Sequence, residues 1–150
     1  GGRNRRRPAM LKTIAALKQS GNVAALNDLI PYARAVGLEA MLDEGGLLVA
    51  LRFRESNIGN TQLRAIHGGV VGALIEHAAI LHLLVETETA VVPKVINLSI
   101  DYLRPCLAAD TFARGSVLKQ GKRVANVRVI AWQDGPDRPV AAGHAHFLLT

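Results

Sequence analysis

The segment AIHGGVVGALIEHAAILHLL, residues 65 to 84, decides the fold, because its composition predicts a helix that is apolar on nearly every side. After its opening histidine, its ionisable side chains are Glu76, His77 and His82. A helix of this kind needs other elements around it, so we expect it to be the centre of the domain. The single carboxylate inside so apolar a helix needs an explanation.

Strands after the helix supply the cover. In VINLSIDYL, residues 95 to 103, apolar side chains alternate with Asn97, Ser99 and Asp101, which predicts a strand with one buried face. Three further strands are predicted, over residues 110 to 119, 122 to 132 and 140 to 149. A long, curved antiparallel sheet wrapped around one central helix gives an α+β fold.

The chain before the central helix is predicted to be helical and then to form a hairpin. Residues 10 to 36 are a helical extension in two pieces, with Asn22 capping the second piece and Pro31 ending or kinking it. LEAMLDEGGLLVALRF, residues 38 to 53, predicts two strands joined by an Asp-Glu-Gly-Gly turn. Residues 55 to 66 are polar and predict a loop.

Composition bounds the class of protein. The 150 residues, 49% hydrophobic and 20% charged, are typical of one soluble globular domain, which we place at residues 10 to 150. The sequence has no uninterrupted apolar run of about 18 residues, so we expect no membrane-spanning helix. The single cysteine, Cys106, cannot form an internal disulfide, so we expect a reducing, cytoplasmic location.

The formal net charge of +6 comes mainly from the first residues. Four arginines within residues 1 to 9 supply most of it, and we expect this segment to be a basic flexible tail. No aromatic residue or second basic cluster adjoins the tail, so we expect neither a nucleic acid nor a membrane as a partner.

The surroundings of Glu76 leave room for a ligand. Three of its four neighbours at helical spacing are small: the four are Gly72, Ala73, Ala79 and Ile80. A carboxylate beside small residues suits a guest molecule. The alternative is a glutamate at the rim of the helix that reaches water or an arginine, and the pattern alone leaves both interpretations open.

The start of the helix suits an oxygen that develops negative charge. Gly68 and Gly69 permit close approach to the backbone, and the first-turn N–H groups have no helical partners. Alternatively, the glycines only permit a tight entry into the helix, and His67 is a cap rather than a proton-transfer group.

Geometry adds a constraint on any shared chemistry. Gly68 and Glu76 are eight positions apart, and at about 1.5 Å per residue they lie about 12 Å apart along one helix. A reacting carbonyl needs a donor and a base or nucleophile at about 3 Å each. If both residues serve one reaction, they come from different subunits, which requires a dimer with two equivalent sites.

These features together resemble the hotdog-fold thioesterases of the phenylacetate-pathway and hydroxybenzoyl-CoA thioesterase group. In that group a helix begins His-Gly-Gly and carries Asp or Glu eight residues after the first glycine, as His67, Gly68 and Glu76 do here. INLSIDYLRP, GSVLKQGKRVANVRV and PVAAGHAHFLL are similar to the family's strands. The resemblance covers residues 38 to 150 and leaves the amino-terminal extension outside.

The resemblance implies an acyl-CoA thioesterase with the hotdog fold, which hydrolyses a thioester to free acid and CoA. The Gly68 N–H would polarise the carbonyl, Glu76 of the facing subunit would attack it or activate water, and His67 is a third catalytic candidate. The family needs no metal and no bound cofactor, since CoA is part of the substrate. It also implies a homodimer and suggests a tetramer. We expect a medium aliphatic or small aromatic acyl group.

Seven positions are expected to bind the substrate: Asn60, Thr61, Gly69, Val95, Arg104, Lys122 and Arg123. Lys122, Arg123 and Arg104 are candidates for the CoA phosphates, although a solvated turn would also explain the first two. Family members often have Asn at the position of Thr61, and some have Ser or Thr at that of Val95. Valine cannot position water as Ser or Thr does, and the loop around Thr61 is built differently.

Other functions remain open at this point. A non-catalytic acyl-CoA-binding hotdog protein accounts for the two departures, and a hotdog hydratase or dehydratase is a weaker rival because its Pro-Gly-rich motifs are absent. A metal site at His144 and His146 lacks a third ligand. A nucleophilic role for Cys106 lacks a basic partner.

Overall fold

The computed structural model describes residues 3 to 30, 32 to 87 and 92 to 149. Its elements, in chain order, are α1 (Arg3–Ser20), α2 (Val23–Asp28), α3 (Tyr32–Val36), β1 (Leu38–Asp43), β2 (Gly46–Leu51), a 3-10 turn (Glu55–Asn57), β3 (Ile58–Asn60), β4 (Ala65–Ile66), α4 (Gly68–Glu86), β5 (Lys94–Tyr102), β6 (Thr111–Gln120), β7 (Val124–Trp132) and β8 (Pro139–Leu148). The predicted hairpin, long helix and four later strands are confirmed.

Six strands form one antiparallel sheet in the order β1-β2-β6-β7-β8-β5. Helix α4 packs against four of them, β2, β6, β7 and β8, which places it in the concavity of the sheet. Strand β5 pairs with β8 on one side and lies at the edge of the sheet on the other. The predicted helix inside a sheet is therefore correct.

Helix α4 lies close to the sheet because small residues face it. Ile75 is fully buried, and a Cβ added at Gly143 on β8 would lie 2.3 Å from its Cγ2 atom. By length and composition α4 alone among the described helices would suffice to cross a membrane, but 61% of that window is buried inside the fold. The core helix of a globular domain passes the same test.

Buried His82 joins the central helix to the sheet. Its Nδ1 lies 2.6 Å from the Ala78 carbonyl oxygen, and its Nε2 accepts a hydrogen bond from the Gly115 N–H at 3.0 Å. These two contacts assign the ring proton to Nδ1. Burial lowers the pKa of His82 against the opposing effect of the Ala78 carbonyl. This histidine is a structural residue of the core.

Strand β5 departs from the prediction of one buried face. Ile96 and Tyr102 are 59% and 57% exposed, and Leu98 and Ile100 are only half-buried. The reason is topological, since an edge strand extends past the surface that α4 covers. The apolar face that the sequence pattern predicts is present on β5, but a single chain leaves much of it exposed to solvent.

The amino-terminal region is more ordered than expected. Helix α1 begins at Arg3, so residues 3 to 9, expected to be a flexible tail, are helical; arginine and alanine favour helix. Asn22 caps α2 as predicted, with its Oδ1 accepting from the Ala25 N–H at 3.1 Å. Pro31 lies outside the described residues. The predicted loop over residues 55 to 66 contains the 3-10 turn and the short β3–β4 pair.

Candidate active site

The first turn of α4 presents one free backbone donor. His67 is the helix cap, and its Nδ1 accepts a hydrogen bond from the Gly69 N–H at 3.0 Å. Across the part of the chain that the structure describes, the exposed Gly68 N–H has no hydrogen-bond partner. The positive end of the helix dipole adds to this donor. His67 therefore caps the helix, and the cap leaves the Gly68 N–H available.

Tyr102, at the end of β5, borders this donor. Its hydroxyl donates to the Gly68 carbonyl oxygen at 2.9 Å, and a Cβ on Gly72 would lie 3.6 Å from the same hydroxyl. The glycines thus let β5 lie against the first two turns of α4. A pocket of about 340 Å³ opens here, lined by Gly68, Tyr102, Arg104 and Cys106 among others.

Glu76 lies half-buried in the middle of α4. Its carboxylate makes no hydrogen bond or ion pair with any described residue, so the alternative of a rim glutamate paired with an arginine is not realised within one chain. Helical rise places it about 12 Å along the axis from Gly68. One chain therefore holds the donor and the carboxylate too far apart to act on one carbonyl.

The amino-terminal extension reaches the surroundings of Glu76. Tyr32 on α3 packs edge-on against His77, with ring centroids 6.0 Å apart and an interplanar angle of 67°. Burial, and then the negative charge of Glu76, raise the pKa of Tyr32 to about 12. Tyr32 could not be identified from the sequence, because no periodicity reports a contact between two helices so far apart in the chain.

The loop before α4 contributes two predicted residues to the same end of the helix. The Asn60 Oδ1 accepts from the Gln62 and Leu63 N–H groups, both at 3.1 Å, so its acceptor is used in forming a turn. Thr61 is exposed within that turn. Asn57 joins the loop to the helix start, since its carbonyl oxygen accepts from the His67 N–H at 2.8 Å.

The three cationic candidates divide between the two ends of the sheet. Arg104 lines the pocket at Gly68, and its Nη1 donates to the Pro139 carbonyl oxygen at 2.6 Å. Lys122 and Arg123 lie on the exposed β6–β7 turn at the opposite end. That turn borders a second pocket, of about 500 Å³, which Lys122 lines.

Val95 also lies at the far end. It pairs with Phe147 near the start of β5, whereas Gly68 contacts the last residue of that strand. One chain therefore brings together Gly68, Gly69, Asn60, Thr61 and Arg104, and separates Val95, Lys122 and Arg123 from them.

Neither the histidine pair on β8 nor the single cysteine has the surroundings that its suggested role requires. His144 and His146 stack at 5.0 Å on the outer face of β8, and the described residues contain no group of three or more side chains suited to hold a metal ion. The Cys106 thiol is buried beside the Thr111 hydroxyl at 3.3 Å. Burial raises the pKa of this thiol, which is the opposite of activation as a nucleophile.

Comparison with known proteins decides the family. A family model described as the thioesterase superfamily matches residues 63 to 140, more than half of the chain. The chain belongs to the thioesterase superfamily. A curated member from Salmonella typhimurium, the medium/long-chain acyl-CoA thioesterase YigI, is 30% identical over 135 residues, which cover 81% of this chain and 86% of the relative. This superfamily member is therefore a thioester hydrolase.

Solved structures agree with the hotdog fold. A protein of Chromobacterium violaceum is 39% identical, with a TM-score of 0.76 over 93% of this chain and 97% of that one. The phenylacetic acid degradation protein PaaI of Thermus thermophilus is 24% identical and shares the fold, with a TM-score of 0.67 over 80% of this chain and 99% of its own. The first of these matches extends into the amino-terminal extension, because the uncovered 7% is shorter than that segment.

Proposed function

We propose that this thioesterase hydrolyses acyl-CoA to free acid and CoA at a site formed by Gly68 of one subunit and Glu76 of its partner. The observation that carries the proposal is a pair of groups on α4 that have no partner among the described residues: the N–H of Gly68 and the carboxylate of Glu76. Their separation of about 12 Å along one helix excludes a shared substrate within one chain. The likeness to YigI supports acyl-CoA as the substrate class.

The chemistry follows from these two groups. The Gly68 N–H donates to the thioester carbonyl oxygen and stabilises the charge that develops there, while His67 holds the first turn in place. The Glu76 carboxylate either attacks the carbonyl carbon, giving an anhydride that water hydrolyses, or takes a proton from the attacking water. In both routes the C–S bond breaks and the CoA thiolate leaves and takes up a proton.

The edge strand supports dimerisation. Val95, Ile96 and Tyr102 on β5 are 41%, 59% and 57% exposed, and a long apolar edge strand invites pairing with another chain. Because β5 lies against the first turns of α4, pairing of two β5 strands brings the two α4 helices together. A tetramer stays an expectation from the family.

Antiparallel pairing of β5 also reunites the residues that one chain separates. A two-fold axis sets the start of one β5 beside the end of the other. Val95, Lys122 and Arg123 of one subunit then lie towards Gly68 and Arg104 of the partner. This arrangement supports the assignment of these cations to the CoA phosphates. For the acyl group we favour a medium aliphatic chain, as the name of YigI suggests. The buried cysteine suits the expected cytoplasmic location.

The test is CoA release from a panel of short, medium, long and aryl acyl-CoAs by wild type, Glu76→Gln and Glu86→Gln. Glu86 is an exposed glutamate of the same helix and serves as the matched control. We expect turnover by wild type and Glu86→Gln, and a loss of about a hundredfold or more in Glu76→Gln. Equal activity in all three would remove Glu76 from the chemistry. Binding without turnover in wild type would favour a non-catalytic acyl-CoA-binding protein. Conversion of an enoyl thioester without release of CoA would favour a hydratase.

A further inference from the structure

The amino-terminal extension places a tyrosine ring against α4 at His77, the residue that follows Glu76. Tyr32 is 36% exposed, its ring packs against the ring of His77, and Glu76 is the adjacent residue of the helix. The hydroxyl makes no hydrogen bond with any residue in the described ranges, and neither does the Glu76 carboxylate. The Glu76 charge acts on the Tyr32 hydroxyl, since it is the second cause, after burial, that raises the pKa of Tyr32.

The short helix that carries Tyr32 is held at its carboxyl end. Arg54 donates through Nη1 to the Arg34 and Ala35 carbonyl oxygens, at 2.8 and 2.9 Å, and the Asn57 Nδ2 donates to the Val36 carbonyl oxygen at 2.9 Å. A five-residue helix has little stability alone, so these bonds fix its place against the domain. The position of Tyr32 is thereby set by the fold.

His77, which the Tyr32 ring contacts, does not compensate the charge of Glu76. The Asn27 Nδ2 donates to the Leu38 carbonyl oxygen at 2.9 Å, so its Oδ1 accepts from the His77 Nε2 at 2.6 Å. Burial lowers the pKa of His77 to about 4, which keeps the ring neutral near pH 7. In contrast, the pKa of Tyr32 is raised to about 12 by burial and then by Glu76, so its hydroxyl keeps its proton. It remains a donor.

We propose that Tyr32 is a positioning residue that orients the Glu76 carboxylate through a hydrogen bond relayed by one water molecule. A water-relayed contact suits two polar groups that interact electrostatically and make no direct hydrogen bond with each other. No other hydrogen bond or ion pair from the described residues selects the rotamer in which the Glu76 carboxylate meets the substrate. The inference rests on the proposed function, in which Glu76 reacts with the thioester.

The test compares Tyr32→Phe with Arg34→Ala, a control on the same short helix whose exposed guanidinium pairs with Asp28. Phenylalanine keeps the ring against His77 and removes only the hydroxyl. We expect kcat of Tyr32→Phe to fall about tenfold with KM unchanged, the size of one hydrogen bond to a charged group. The melting temperature and the activity of Arg34→Ala should match wild type. Wild-type kcat in Tyr32→Phe would overturn the proposal.

A double variant separates positioning from an independent effect. If Tyr32 acts through Glu76, then Tyr32→Phe costs nothing further in a Glu76→Gln background. Losses that multiply would show that Tyr32 acts independently and would overturn the inference. Failure of the proposed function has a different signature, since Glu76→Gln would then be as active as wild type or wild type would have no turnover.

Discussion

The Nε2 atom of buried His77 lies 2.6 Å from Oδ1 of Asn27, fifty positions earlier in the chain. This contact ties the amino-terminal extension to the central helix, because Asn27 belongs to α2 and His77 to α4. The histidine Nδ1 is buried without a hydrogen-bond partner in the described structure. A proton on that nitrogen would therefore place an uncompensated charge inside the core.

Stability should fall in mild acid for this reason. Burial lowers the pKa of His77 to about 4 from 6.5, so between these values the unfolded chain binds the proton that the folded chain refuses. The stabilisation is fully present above pH 6.5 and is lost as the pH falls towards 4, by about 3 kcal/mol in all. Burial acts in the same direction on His82. Urea unfolding between pH 7.5 and 4 measures the loss.

Glutamine substitutions provide the control for this pH dependence. His77→Gln keeps a donor for Asn27 and removes the titrating ring, so its unfolding free energy should fall less between pH 7 and 4.5 than that of wild type. His144→Gln, at an exposed position on β8, should leave the wild-type slope. The same slope in all three proteins would show that His77 does not cause the acid sensitivity.

Because α4 and β8 lie in close contact at Gly143, adding one methyl group at this position should destabilise the fold. A Cβ at position 143 would lie 2.3 Å from the Ile75 Cγ2 inside the core, so Gly143→Ala should lower the free energy of unfolding by about 1–3 kcal/mol. Gly121→Ala, in the exposed β6–β7 turn, meets nothing closer than 3.6 Å and should have little effect. Urea unfolding measures both.

A second change tests the assigned cause. Ile75→Ala removes Cγ2 and leaves a cavity, so alone it should be destabilising. The double variant with Gly143→Ala should lose less unfolding free energy than the sum of the two single losses, because the space left by Ile75→Ala accommodates the added methyl group. Additive losses would mean that the helix and the strand do not meet at this point.

Much of the fold could be predicted because its signals are local. The apolar run of α4, the alternation in β5 and the cap at Asn22 each depend on neighbours within a few residues, and each produced its element. The Tyr32–His77 contact could not be predicted, because it depends on how a short helix packs against a distant one. The His-Gly-Gly motif identifies His67 and Gly68 from the sequence. Which residue caps the helix and which keeps a free N–H follows only from the hydrogen bonds in the structure.

The error in β5 has a different origin. Alternation reports which face a strand buries in the state that functions, and one chain leaves Ile96 largely exposed. The pattern therefore agrees with a partner strand lying against β5. This is the same surface that the proposed composite site requires.

Ile96→Asp should separate the subunits. A charge on the apolar face of the paired edge strand would have to lose its water against the partner subunit and disfavours association, while the 59% exposure of Ile96 lets a single chain accept it. We expect light scattering to report a smaller assembly with folded circular dichroism, and thioesterase activity to fall by at least about tenfold as the composite site is lost. Leu118→Asp, at a 55% exposed position on β6, is the matched control and should keep wild-type size and activity. An Ile96→Asp protein of unchanged mass would exclude β5 as the interface, and a fully active monomer would exclude a site shared between subunits.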